Sequence, residues 1–326
     1  MGRSGRRGRT PLATVMPRAA SEGQVAIARA ALGKPAQQRR RLRLVQTRLK
    51  RAPVGDIGMK ITILGSGGWV SSDERETACA LVEDERGLLL LDAGSGARRL
   101  LTDSFVTKYA HLEVLLTHFH LDHIVGLGRL AAVASEVIVW APGDWLYGTR
   151  SAAILQPLLA PPLVADDLRG RYTFNELRAG PQYVGRFPVV AAAQPNHWSP
   201  SVGLRIGDDV ALVTDTPYER SSATLARGVR RLLHEAWSTS AAPLYPERDA
   251  TAADAARVAV EADVDHLTLI HLDPRLRDLD GLLDDARSKF ASTDIGDRSH
   301  GPRYLTPPQL LLCAMHAPAT RGRGRA

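Results

Sequence analysis

The chain has 326 residues, 44% of them hydrophobic and 5% aromatic, with two cysteines and a formal net charge of +7. Such a length and hydrophobic share can bury a sizeable core, which excludes the disordered and fibrous classes for the chain as a whole. The two cysteines, Cys79 and Cys313, have no CxxC partner and form no disulfide framework, though one bond between them stays open, and no 18-residue apolar run offers a transmembrane helix.

The positive charge is unevenly placed. Residues 1–58 hold fourteen Lys/Arg against Glu22 and Asp56, a net of +12. The remainder has 28 basic and 33 acidic residues, and Arg321, Arg323 and Arg325 of its tail are among the basic ones. The body between the ends is therefore acidic, which argues against a broad nucleic-acid surface but leaves room for a local basic cleft. Residues 1–58 are rich in Arg, Ala and Gly and lack the apolar core of a secretory signal. They read as a disordered basic extension, with partial helix possible over 24–49. A start at Met59, a basic nucleic-acid arm and a transit leader are the three explanations considered, the first preferred. The domain proper is expected over 59–315, and 316–326 reads as a disordered basic tail.

Met59 to Gly68 reads as a strand followed by a tight turn. Its Gly65-Ser66-Gly67-Gly68 lacks the Lys-Ser/Thr of a phosphate cradle. Strands are expected over 77–82 and 88–91, then a helix over 97–108. The apolar run 112–116 is a buried strand, and a helix is expected over 122–132. Further expectations are a strand over 137–141, a helix over 144–159 whose Trp145, Leu146 and Tyr147 could form a lid, and a strand over 189–193. Ser201–Ile206, a Gly207-Asp208-Asp209 turn and Val210–Val213 make a hairpin. Helices over 252–262 and 276–290 follow, and 292–304 reads as irregular. Strands in two groups, separated by helices, suit an α/β fold of two sheets between helical layers.

The densest chemistry follows the strand 112–116: His118-Phe119-His120-Leu121-Asp122-His123. Side chains at i, i+2 and i+4 of an extended segment share a face, so His118, His120 and Asp122 point together and His123 turns elsewhere. One loop could thus serve two neighbouring metal ions. Zinc accepts imidazole and carboxylate ligands and keeps a position open in catalytic sites. His197, in Gln194-Pro195-Asn196-His197-Trp198 after a probable strand, and Asp215 and His271, which end apolar runs, supply further candidates. A capping Asp or a core His is the plain alternative for each taken singly.

In this order, His-x-His-x-Asp-His followed by a distant His, an Asp and a final His resembles the metallo-β-lactamase-fold hydrolases over roughly residues 59–315. That resemblance implies an αββα sandwich and a dinuclear metal centre. One zinc would take His118, His120 and His197, the other Asp122, His123 and His271. Asp215 would bridge them, with a hydroxide between the ions. Mn²⁺ or Fe²⁺ suits the same ligands. Asp92-Ala93-Gly94 is similar to the family's Asp-x-Gly beneath the metals, which is not itself a ligand.

His234-Glu235-Ala236 resembles the His-Glu-Ala-Thr segment of the ribonuclease Z branch, which implies His234 as proton donor or transition-state stabiliser, with Asp122 the other catalytic residue. Arg275 keeps a cation that could face a phosphate, as the same branch implies. The branch's tRNA-gripping arm would lie between His197 and Asp215, where only the hairpin fits. The expectation is therefore a cytoplasmic phosphodiesterase of small substrates. Tyr218, three residues after Asp215, resembles the oxyanion-stabilising Tyr of zinc lactonases of the same fold, so lactone or carboxylic ester hydrolysis is the alternative. Cleavage of tRNA precursors is a further alternative, a non-enzymatic zinc module the least favoured. No membrane partner is expected. Dimers are common among relatives, and a homodimer stays open.

Overall fold

The computed structural model describes residues 59–101, 110–165 and 170–296. The expectations for 1–58, for most of 102–109 and for the tail, including the pairing of Cys313, lie outside the described residues. Cys79 is buried and free.

Thirteen strands among the described residues form two sheets, one from each half of the chain. The first has β1 (Lys60–Gly65), β2 (Cys79–Asp84), β3 (Gly87–Leu91), β4 (His111–Leu115), β5 (Glu136–Ala141) and β6 (Tyr172–Glu176), adjacent in chain order. β1 to β3 pair antiparallel, and β3 to β6 pair parallel. The second has β7 (Gly180–Val184), β8 (Phe187–Gln194), β9 (Ser201–Ile206), β10 (Val210–Val213), β11 (Arg231–Glu235), β12 (His266–Ile270) and β13 (Thr293–Ile295). Here β7 to β10 are antiparallel and β10 to β13 parallel.

The strands carry apolar side chains on both faces, as strands covered on both sides must. Leu88 and Leu90 face an outer core with Leu100, Leu127 and Leu130, while Leu89 and Leu91 face the inter-sheet core with Leu204, Leu212 and Leu233. In the second sheet Leu232, Leu267 and Leu269 pack outward on the helix Ala252–Ala262 and on Leu282 and Leu283 of the helix Leu279–Arg287. The result is an αββα sandwich, and each fully buried Leu contributes roughly 2 kcal/mol by leaving water.

Several expected elements differ in length. The helix over 122–132 is two short helices, Leu121–Ile124 and Leu127–Leu130. The break falls at Gly126, whose amide donates to the Ala93 carbonyl and whose missing Cβ lets it lie against the Gly94 carbonyl. The helix over 144–159 is three pieces, interrupted at Gly148 with φ +66°. Its Leu146 is buried between the sheets, and the Tyr147 hydroxyl donates to the Pro200 carbonyl at 2.5 Å. That stretch is packing rather than a lid. Only Ser95–Leu100 of the helix over 97–108 is described, as 3₁₀. The segment 292–304, read as irregular, contributes β13.

Candidate metal centre

The four parallel strands β10, β11, β12 and β13, with β3 and β4 opposite, deliver their C-terminal ends to one rim of the sandwich. Asp92 follows β3, Asp215 follows β10 and His271 follows β12, and all three have left-handed backbone, φ +55°, +54° and +50°. Such conformations cost a non-glycine residue on the order of 1 kcal/mol or more and cluster where geometry serves a site. Each turns the chain sharply as it leaves the sheet.

The structure brings all seven predicted ligands together. His118, His120 and Asp215 present ligand atoms within 4.8 Å of one another, and so do Asp122, His123 and His271. Asp215 lies between the groups. Its Oδ1 is 3.6 Å from His118 Nε2 and 3.3 Å from His197 Nε2. Its Oδ2 is 3.2 Å from His123 Nε2 and 3.5 Å from His271 Nε2. His120 completes the first group, its ring 4.5 Å from that of His118 and 5.4 Å from that of His197. In the second, His271 Nε2 lies 3.3 Å from Asp122 Oδ2 and 3.2 Å from His123 Nε2.

Every one of these partners is a ligand type, and the donor set fits a pair of divalent cations. His118 makes the strongest case. Its ring is fully buried, and Nε2 has no hydrogen-bond partner. A buried ring nitrogen left this way is costly unless an ion occupies the point it faces. A third group, Asp215, Glu235 and His271, was not anticipated.

Outer partners hold the rings by their far nitrogens, as metal-binding histidines are usually held. Asp92 Oδ2 is 2.9 Å from His123 Nδ1 and accepts from the Thr117 hydroxyl. Asp249 Oδ1 is 3.1 Å from His197 Nδ1. Glu235 Oε2 is 3.4 Å from His271 Nδ1, and the same carboxylate accepts from the Asp215 and Ala250 amides at 2.5 and 2.8 Å. Asp92 was expected beneath the metals. Asp249 was missed because an Arg-Asp pair in a polar loop carries no periodic signal.

The charges interlock. Burial resists charge on His123 and His271, but the surrounding carboxylates, Asp215 foremost, outweigh it and raise both well above the ordinary histidine range. Burial also opposes ionisation of Asp215 and Asp122, yet the neighbouring imidazoles hold both carboxyls well below theirs. Desolvation lowers His118 and His120, and it lifts Glu235 to about 7.

Three expected site residues fall elsewhere. His234 has 0% exposure, and its Nδ1 is 2.8 Å from the Glu235 carbonyl oxygen. Strand neighbours alternate faces. Leu232 faces the outer helical core and Leu233 the inter-sheet core, so His234 shares the outward side and Glu235 the metal side. Burial pushes His234 down to about 4, and the nearest influential carboxylate is Asp254 of the helix Ala252–Ala262. The ring has no face open to solvent, and its Nε2 has no hydrogen-bond partner. Tyr218 is likewise on the helix side: its hydroxyl donates to Glu261 at 2.8 Å, with the Arg257 guanidinium 3.8 Å from the ring centroid. Thr216-Pro217 carry the chain outward after Asp215. Arg275 stays near the rim, but its guanidinium is held by Asp273 through bonds of 3.0 and 2.6 Å.

Comparison with known proteins agrees with this geometry. The family model of the metallo-beta-lactamase superfamily matches residues 72–265, and the chain belongs to that superfamily. A ribonuclease Z from Synechococcus sp. is 29% identical, over 67% of this chain and 86% of its own length. One from Methanopyrus kandleri is 27% identical, over 72% and 94%. The solved metallo-beta-lactamase fold protein YhfI from Bacillus subtilis superposes with a TM-score of 0.61 at 21% identity, covering 73% of this chain and 95% of its own. A diphosphatase from the PhnP family gives 0.54 at 17%, covering 72% and 92%. The chain is a metal-dependent hydrolase of the ribonuclease Z-like branch. Among the described residues no helix is long and apolar enough to cross a membrane.

Proposed function

We propose that this protein hydrolyses small phosphodiesters with two divalent cations, zinc or else Mn²⁺ or Fe²⁺. His118, His120 and His197 would hold one, Asp122, His123 and His271 the other, and Asp215 both. The observation that carries the reading is the division of Asp215, one oxygen toward each group. Paired cations supply an activated water and a clamp on the phosphoryl oxygens.

This chain's residues do the rest. Asp92 and Asp249 hold the imidazoles of His123 and His197 with Nε2 facing inward, and the Glu235 carboxylate lies 3.4 Å from His271 Nδ1. Trp69 N–H donates to Asp122 Oδ2 at 2.7 Å and fixes that carboxylate. The depressed Asp122 and Asp215 stay ionised at neutral pH and offer the negative charge that two cations require.

Substrate size follows from the interval between His197 and Asp215. It is occupied by β9, a short turn and β10, with no inserted arm. Tyr218 supports the same choice, since its hydroxyl faces Glu261 and offers no oxyanion donor for a lactone. Cleavage of tRNA precursors is the second reading, and the ribonuclease Z relatives favour it.

The test offers the metal-loaded full chain bis(p-nitrophenyl) phosphate, an acyl-homoserine lactone and a tRNA precursor, with Asp215→Ala as blank. Phosphodiester turnover without lactone opening is expected. Lactone opening alone would overturn the proposal, and precursor cleavage at a comparable rate would favour the second reading.

A further inference from the structure

Two tryptophans stand exposed at the rim of the metal centre, one beside each ligand group. Trp198, 45% exposed, is joined by its peptide bond to His197. Trp69, 62% exposed, is tied by its amide to Asp122. An exposed indole alone carries no meaning; what marks these two is that the backbone and neighbours of each are fixed beside a ligand group.

Both are held rather than loose. Trp69 has φ +61°, a left-handed conformation that a bulky residue rarely adopts. The preceding Gly68 fixes the loop: its amide donates to the Leu272 carbonyl, and a Cβ there would fall 2.6 Å from His271 and 2.7 Å from Trp237. Trp198 packs edge-on to Tyr245 at 6.3 Å, with the Arg248 guanidinium 5.1 Å from its ring centroid. Arg248 also donates to the His197 carbonyl at 3.2 Å, so the indole and the metal-side histidine share one support. Tyr245 is itself left-handed, φ +52°, and 49% exposed. Arg275 is close enough to feel its phenol.

Resting on the phosphodiesterase reading above, we infer that Trp198, backed by Arg248 and Tyr245, is a stacking platform for a nucleobase, and that the substrates are nucleotide phosphodiesters. A flat apolar face beside a cation suits a base, because every base offers a π-face and stacks without need of a sequence-specific partner. Trp198 follows His197 directly in the chain, so a base stacked on it would lie on the His197 side of the centre.

Calorimetry on the zinc-loaded full chain tests this with three probes: adenosine 5′-monophosphate, ribose 5-phosphate and octyl phosphate. Stacking predicts that the nucleotide binds about tenfold more tightly than ribose 5-phosphate. Trp198→Ala should bring that ratio close to one and leave ribose 5-phosphate within about twofold. Trp198→Phe should keep most of it, and Tyr245→Ala should lower it partly. Equal binding of the two sugar phosphates by the wild type, or no binding of either, overturns the inference. So does an equal loss of both in Trp198→Ala, which marks damage at His197. Preference for octyl phosphate would assign the platform to an apolar chain instead. None of these ratios depends on turnover, so bis(p-nitrophenyl) phosphate hydrolysis judges the reaction class separately.

Discussion

At the residue scale, one position of strand parity divides two neighbouring side chains between two jobs. His234 is buried on the helical side and Glu235 reaches the metal side. His234→Leu should therefore leave metal content unchanged and kcat within about threefold, with its effect confined to thermal stability. A kcat loss beyond about a hundredfold with both metals retained would return His234 to the chemistry. Glu235→Gln should weaken metal affinity by roughly 10–100-fold, as loss of an orienting carboxylate does, measured by competition with a chromogenic chelator. The seven ligands were legible because four crowd behind one buried strand and the other three follow strand ends, where a metal-type side chain has few structural excuses. Glu235 was visible but its role was not, because a short motif does not show which way its strand faces. Asp249 lay in a loop with no period to read.

At the element scale, legibility followed burial. The helix Ala252–Ala262 and the β9–β10 hairpin show in their apolar spacing and turn residues, and both stand where expected. β6, β7 and β13 were not read. All three are sheet edges, where exposed positions dilute the alternation. The long helices broke at glycines, at Gly126 against the Gly94 carbonyl and at the turn of Gly148. The helix Ala252–Ala262 also opens with a capping box: Thr251 accepts from the Asp254 amide, and Asp254 accepts from the Thr251 amide. Thr251→Ala should cost about 1 kcal/mol in chemical denaturation. Metal content should not change, since the box sits on the outer layer with His234.

At the scale of the whole molecule, the centre couples stability to pH in opposite senses with and without metal. Without metal, the raised histidines His123 and His271 add stability that is complete below about pH 6.5 and is lost as pH rises through their folded values. Glu235, lifted to about 7, pulls the same way, because folding then disfavours its charge. His118 and His120, both lowered, pull the other way only up to about pH 7.5, where the unfolded ring too has become neutral. The melting temperature of chelator-treated protein should accordingly fall between about pH 7.5 and 9. Zinc-loaded protein should hold its melting temperature or gain over the same range, because ligands must shed protons to bind. Parallel curves would contradict the assignment of these residues to a metal centre.

The two sheets come from successive halves of the chain, and neither ligand group belongs to one half. His118 and His120 meet His197 across the seam, and Asp122 and His123 meet His271. The sandwich is thus a book whose covers meet at the open edge, where any cation held by either group would grip both. Whatever loosens one cover spoils both binding pockets together. Partial damage in either half should silence the whole centre, leaving no half-active enzyme behind.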